Sequence, residues 1–384
     1  VRKRVMIILH TELAYTRRAA KGVFAYANAC NCWDVKNCTE LNDFVIDLLA
    51  TSQVDGVIAM VTHENQGQKL REVCPHVVNI SARVADIGIP TVLPDNIAVG
   101  RMAGQYFLER GYRHFAFFSL EGLHFSQQRE EGFREAVAPQ CLSYTVLDKS
   151  ALTHGVVAAV WEGRERLARE WFATLPRPVA ILAVNDDCGK LLLDLCSSLK
   201  IAVPDKVAIL GVDNDEAYCL NTTPQLSSVI LPSEQQGMEA AHLLDSLMNG
   251  AAPPASPLLL PPMGIETRGS TDATAHLDPL VAQTLHYIML HSHEPITVQD
   301  IINEIPLSRR SLEMHFRQAL GKSPLEVIGN TRIQRAQRLL AETDMEINDI
   351  AKASGLICAN SLFRIFKREV GMTPRTYRLK YRRR

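Results

Sequence analysis

Four short stretches of the 384-residue sequence place hydrogen-bonding side chains near the ends of apolar runs: "PDN" with Asp95 and Asn96, "QQREEGF" with Arg129, "AVNDD" with Asn185 and Asp186, and "GVDND" with Asp213 and Asp215. Carboxylates, amides and a guanidinium each make paired hydrogen bonds to adjacent hydroxyls, so together they suit a polyhydroxylated small molecule. Tyr15, Phe125 and Trp161 are candidates to stack on the apolar face of such a ligand. An Asp behind a strand also serves as a helix cap. The adjacent Asp186 and Asp187 offer an acid and base pair on paper, but a cap plus a ligand contact is the simpler account. No GxxxxGK[ST], HExxH or GxSxG occurs, and the chain is not expected to be an enzyme.

The elements that must hold these residues alternate. The β-rich runs "RVMIIL", "DGVIAM", "HVVNI", "RHFAFFSL", "VAILAV" and "KVAILGV" each end near polar or glycine-rich turns. Amphipathic stretches such as "GRMAGQYFLERGY" and "DCGKLLLDLCSSLKI" lie between them. That alternation predicts an α/β fold with two doubly wound parallel sheets, in which ligands sit beyond the carboxyl ends of the strands.

The C-terminal part follows a different rule. "SRRSLEMHFRQALGKSP" (308–324) and "SLFRIFKREVGMTP" (361–374) superimpose at an offset of fifty residues. Ser311 then pairs with Ser361, Leu312 with Leu362, Phe316 with Phe366, Gly321 with Gly371 and Pro324 with Pro374. Each copy has an apolar pair at i and i+4, a basic residue after the aromatic, then Gly and Pro as terminators, which is one helix ending in a fixed corner. A shorter helix precedes each: about Val298 to Ile305, turning at Pro306 and Leu307 into a helix capped by Ser308, and about Asn348 to Ser354, turning at Gly355 into Ala359 to Val370. A long helix, Pro324 to Glu342, joins the two helix-turn-helix units. Two such helices on one connector can enter successive major-groove segments of double-stranded DNA, about 34 Å apart.

Charge divides at the same place. Residues 276–384 carry 17 Lys plus Arg against 11 Asp plus Glu, a balance of +6, while residues 1–275 carry −7. An acidic body with a basic tail suggests a nucleic-acid module joined to something else. The small polar stretch "RGSTDATAHLD" is the expected join, giving a body over 1–271, a linker over 272–278 and a helical domain over 279–384. "PLLLPP" upstream of it reads as an edge strand bounded by its prolines. Nine scattered cysteines argue against a disulfide framework, and "CNCWDVKNC" and "HSH" lack metal-site spacing; neither metal nor cofactor is expected. The apolar run Val5 to Leu9 is too short for a signal peptide or membrane span, so a cytoplasmic protein without a membrane partner is expected.

Gly355, Leu356, Leu362, Arg364, Phe366, Lys367, Gly371, Thr373, Pro374 and Tyr377 make the C-terminal domain similar to the AraC-type double helix-turn-helix domain. The family's aromatics at 356, 361 and 362 are Leu, Ser and Leu here, a difference that concerns packing. The resemblance implies that the first recognition helix faces DNA with Arg310, Glu313 and Met314, flanked by Arg309 and Arg317, and the second with Ala359, Asn360, Ser361 and Arg364, followed by Lys367. Where relatives carry Arg, Met314 loses bidentate guanine reading and can touch a thymine methyl; Asn360 can bridge an adenine, and Arg364 can read guanine or anchor a phosphate. Residues 4–268 resemble the LacI-type, periplasmic-binding-protein-like effector domain, whose sugar-contacting pattern falls on Asp95, Arg129, Asn185 and Asp213. "AYTR" (14–17), "GVDNDE" (211–216), "LSSVI" (226–230) and "SRRSLE" (308–313) make the whole chain similar to the xylose-operon regulators. The resemblance implies a homodimeric, DNA-binding activator that engages RNA polymerase and is switched by xylose or a related monosaccharide bound in the N-terminal cleft. Another pentose, a sugar alcohol, a non-sugar effector, or repression is the alternative. A solute-binding protein would share the body but has no use for the tail.

Overall fold

The computed structural model describes residues 2–10, 12–149, 160–272, 279–305 and 308–381. They form two compact units: Val1–Arg101 with Ser119–Phe133 and Leu231–Pro262, and Met102–Phe118 with Arg134–Ile230 and Met263–Arg384.

In the first unit β1 (Lys3–Ile8), β2 (Trp33–Cys38), β3 (Gly56–Ala59) and β4 (Val77–Asn79) form a parallel sheet in the order β2-β1-β3-β4. A bridge from Asn79 to Thr91 leads on to β5 (Val92–Pro94), which pairs in parallel with β11 (Leu258–Leu260). The "PLLLPP" segment is thus the expected edge strand, paired on one side only. Alternate residues of β1 enter two separate cores. Val5 and Ile7, with Leu9 just beyond the strand, pack with Val23 of α1 (Ala14–Cys30) and Leu244 of α9 (Ser233–Met248). Met6 and Ile8 pack with Val45 and Leu49 of α2 (Asp43–Thr51) and Leu70 of α3 (Glu64–Val73). A strand buried on both faces must be apolar at every position, which is why "RVMIIL" shows no polar alternation.

Two further helices meet at a very short crossing. A Cβ on Gly100 of α4 (Asn96–Glu109) would lie 2.1 Å from the Arg129 carbonyl oxygen. One on Gly132 of α5 (His124–Val137) would lie 2.0 Å from the Ile97 carbonyl oxygen. Reciprocal glycines let the two backbones touch, and that contact sets where Arg129 sits relative to α4.

The second unit carries β6 (His114–Ser119), β7 (Ser143–Asp148), β8 (Val179–Ala183), β9 (Val207–Val212), β10 (Ser227–Ile230) and β12 (Gly264–Glu266), in the order β12-β10-β9-β8-β6-β7. β6, β8, β9 and β10 run parallel and β12 is antiparallel to β10. Helices α6 (Val160–Thr174), α7 (Asp186–Ser198) and the single turn α8 (Glu216–Cys219) connect them. Each sheet reverses its strand order at one central pair, β1/β3 and β6/β8, the switch point beyond which doubly wound folds bind ligands.

The same unit contains the C-terminal helices: α10 (Pro279–Leu290), α11 (Val298–Glu304), α12 (Arg309–Leu320), α13 (Pro324–Glu342), α14 (Ile347–Ala353), α15 (Ala359–Val370) and α16 (Pro374–Tyr381). The fifty-residue offset is a structural repeat. Leu312 and Phe316 lie in one core with Ile301 and Ile328, and Leu362 and Phe366 in a second with Ile350 and Ile333. α13 supplies Ile328 to one and Ile333 to the other, so it is the common beam. Both helices end at a left-handed glycine, Gly321 with φ 70° and Gly371 with φ 76°, whose N–H groups donate to the Arg317 and Lys367 carbonyls. Helices α10 and α16 were not anticipated from the sequence. The turn at Pro306 and Leu307 and most of the linker, 273–278, fall outside the described residues.

One expectation is corrected. Cys30 and Cys32, read as free thiols, are paired as a disulfide. Asn31 between them takes the left-handed conformation, φ 47°, at the end of α1, and this tight reversal brings the two Cα atoms to 5.2 Å. Cys38, Cys74, Cys141, Cys188, Cys196, Cys219 and Cys358 are free.

Candidate ligand site and nucleic-acid interface

Arg129 is the centre of the first unit's strand-end cluster. It is only 5% exposed, and its Nε donates to Asn96 Oδ1 at 3.0 Å while its guanidinium stands 5.0 Å above the Phe125 ring. Asn96 is itself buried and held by Gln128. The N–H groups of His124 and Phe125 donate to the Arg83 and Ala82 carbonyls, which ties the start of α5 to the loop behind β4. Asp95 accepts the Ala98 N–H at 2.9 Å and so caps α4 with one carboxylate oxygen. Tyr15 is pinned by its hydroxyl, which donates to the Ile80 carbonyl and accepts from Gln236 Nε2. The two Gln236 Nε2 protons are shared among the Tyr15 hydroxyl and the Ile80 and Val92 carbonyls, a fully buried bracket with no signature in the sequence.

In the second unit Asn185 is the N-cap of α7, accepting the Cys188 N–H at 3.0 Å and keeping its amide donors for other partners. Asp213 leaves β9 with φ 112° and Asn214 follows with φ 51°. Asp186 does not play the part expected of it. It is 1% exposed, with Ser228 Oγ donating to Oδ1 at 2.6 Å and the Asp215 N–H and Cys219 Sγ donating to Oδ2. The helical phase after the Asn185 cap turns this carboxylate inward, so it braces the Asp213–Asp215 loop instead of facing a ligand. Burial, and then the nearby Asp213 carboxylate, push its carboxyl up to about 8. The folded protein therefore holds a proton that the unfolded chain has released, and this group's contribution to stability declines as pH rises from the ordinary carboxylate range through about 8. Asp186→Asn should flatten that slope, checked by urea midpoints at pH 5 and pH 8; an equally steep loss in the variant refutes the assignment. The Trp161 side chain lies outside the described residues. Among the described residues no group of three or more His, Cys, Asp or Glu side chains is placed to hold a metal, and no helix is long and apolar enough to cross a membrane.

The two recognition helices present their polar faces outward. On α12, Arg309, Arg310, Met314 and Arg317 are exposed, and Glu313 lies 3.5 Å from Arg309 Nε, partly neutralising it. On α15, Asn360, Arg364 and Lys367 are exposed, Ala359 is half-buried, and Ser361 turns its hydroxyl toward Cys358 Sγ at 3.5 Å. Leu312 and Phe316, and Leu362 and Phe366, fill the opposite faces. A stripe of guanidinium, amide and ammonium groups on a helix locked by its apolar side is suited to a DNA groove.

Known proteins match both parts. A periplasmic binding protein-like domain model matches residues 105–271, and a helix-turn-helix domain model matches residues 301–380. The chain is 30% identical over 385 residues to the xylose operon regulatory protein of Haemophilus influenzae, covering 98% of each chain. The chain belongs to the xylose operon regulatory protein family. The Escherichia coli K12 member of this regulator family is also 30% identical, over 390 residues, with 98% of this chain and 97% of the relative covered. A solved structure, that of the xylose-binding transcription activator XylR, matches with a TM-score of 0.64 and 28% identity over 100% of this chain and 99% of its own. As a member of the xylose operon regulators, the chain is a DNA-binding transcription regulator whose effector body precedes its helix-turn-helix domain. The boundary of the first matched domain, residue 271, coincides with Thr271, which is fully buried.

Proposed function

We propose that the N-terminal body binds a monosaccharide, xylose or a close relative, through Asp95, Arg129, Asn185 and Asp213, with Phe125 as its apolar platform, and that the bound sugar turns the chain into a transcription activator. The observation that carries this is the buried Arg129 guanidinium, fixed by Asn96 and backed by an aromatic ring. A desolvated cation held in one orientation recognises a hydroxyl pair far better than a mobile surface arginine does. Similarity over the full length to regulators named for xylose supports the choice of sugar. The regulator acts in the cytoplasm as a homodimer, placing four helices like α12 and α15 on one operator and contacting RNA polymerase.

Calorimetric titration with pentoses, hexoses and sugar alcohols tests this. Xylose should saturate one site per chain, with other sugars weaker by at least about tenfold, or about 1.4 kcal/mol. Silence across the panel from folded protein removes the sugar reading and leaves the DNA-binding assignment intact.

A further inference from the structure

Asp213 and Asn214 hold the left-handed backbone that leads away from β9, a conformation that persists in residues other than glycine only when neighbours enforce it. The Asn214 backbone N–H donates to Ser228 Oγ at 2.9 Å, and its side chain is held by Arg268, which the ligand reading does not use. One terminal guanidinium nitrogen donates to Asn214 Oδ1 at 2.7 Å and the other to the Leu226 carbonyl at 2.8 Å. The Arg268 backbone N–H donates to Ser227 Oγ at 2.8 Å, and Ser227 Oγ donates back to the Arg268 carbonyl at 2.9 Å.

From Ser227 the hydroxyl protons run in one direction. Thr271 Oγ1 lies 2.6 Å from Ser227 Oγ and donates to it, so Thr271 must accept from the Tyr106 hydroxyl, also at 2.6 Å. Ser227 and Thr271 are both fully buried and Tyr106 nearly so, conditions under which such bonds are costly to break. Thr271 immediately precedes the linker. Tyr106 belongs to α4, and one turn further along that helix the Glu109 carboxylate pairs with Lys322 Nζ at 2.6 Å. Arg113 adds a bond from its guanidinium to the Ala319 carbonyl at 3.0 Å. Ala319 lies in the last turn of α12 and Lys322 directly after its capping Gly321, while the DNA-reading side chains lie nearer its other end.

We propose that Arg268 is the positioning residue that couples the Asp213–Asn214 loop to the orientation of recognition helix α12, through the Ser227–Thr271–Tyr106 hydroxyls and the Glu109–Lys322 pair. The inference rests on the reading that Asp213 meets the effector. A ligand that draws Asp213 toward itself moves Asn214, releases or tightens Arg268, and shifts the root of the helical domain. The effector influences DNA only through its differential affinity for the two arrangements, so the quantity that depends on Arg268 is the coupling factor and not either affinity alone.

The test uses the full chain. Arg268→Met keeps an apolar stem of similar length and removes the guanidinium. Operator affinity is measured by fluorescence anisotropy with and without saturating xylose, and xylose affinity by calorimetry without DNA. In the wild type the ratio of operator dissociation constants should fall in the range of about 5- to 150-fold typical of allosteric coupling. In Arg268→Met it should fall to below about 2-fold, with xylose affinity and sugar-free operator affinity each within about threefold of wild type. A wild-type ratio in a folded variant overturns the inference, as does lost xylose affinity with the ratio intact. A wild-type protein that ignores xylose instead fails the sugar reading and takes this inference with it. Lys322→Gln cuts the far end of the same path and should also lower the ratio; an unchanged ratio there overturns the inference even where Arg268→Met does not fold.

Discussion

Arg129→Ala should raise the xylose dissociation constant by about 100-fold or more while leaving sugar-free operator affinity within about twofold of wild type. Hydrogen bonds made by a charged group contribute about 1.5 to 3 kcal/mol each, so losing two such bonds from a buried guanidinium accounts for that factor or more. The substitution also leaves the buried Asn96 carbonyl without the Nε–H that now satisfies it and removes the cation from above Phe125. Both losses fall at the strand-end cluster, and neither touches the cores of the helical domain. Calorimetry and operator anisotropy on the same preparation check the split. Unchanged xylose affinity would place the sugar elsewhere, and loss of operator binding in folded protein would contradict the division of labour.

Phe366→Ala should have the opposite signature. Phe366 is fully buried and meets Tyr377 edge-on at a centroid distance of 5.2 Å, in a core that also takes Leu362, Ile350 and Ile333. Truncating a buried phenylalanine costs about 3 to 5 kcal/mol, a large share of the roughly 5 to 15 kcal/mol that holds a typical domain together. The second helix-turn-helix unit should loosen, operator affinity should fall by about 100-fold or more, and the xylose isotherm should be unchanged. Phe316→Ala, fifty residues earlier, should act the same way on the first unit, since both rings occupy equivalent buried places. Normal operator affinity in Phe366→Ala would mean that the second unit contributes nothing to binding.

The central strands and the duplicated helices were legible in the sequence because each obeys one rule along its whole length. β8 and β9 are unbroken apolar runs, as strands covered on both faces must be. α12 and α15 announce themselves through a buried pair at i and i+4 and a terminal Gly-x-x-Pro. The edge strands of the second sheet were not legible. β7, "SYTVLD", is nowhere fully buried, and β12 has only three residues, so neither shows a pattern that a loop could not share. The site was half legible. "VNDD" marks a strand end and a cap, but only the helical phase decides that Asp186 turns inward while Asn185 stays partly exposed. Asn96 was visible only as part of "PDN", and its role in orienting Arg129 is a tertiary fact. Gln236 and Arg268 gave no signal because each reaches a partner more than fifty residues away in sequence.

The glycine crossing of α4 and α5 limits how this chain can change. No side chain larger than hydrogen fits at 100 or 132 without forcing the helices apart, and moving α5 moves Arg129. A change of effector in this chain therefore has little freedom along this wall and has to come from loops that neither carry nor contact the arginine.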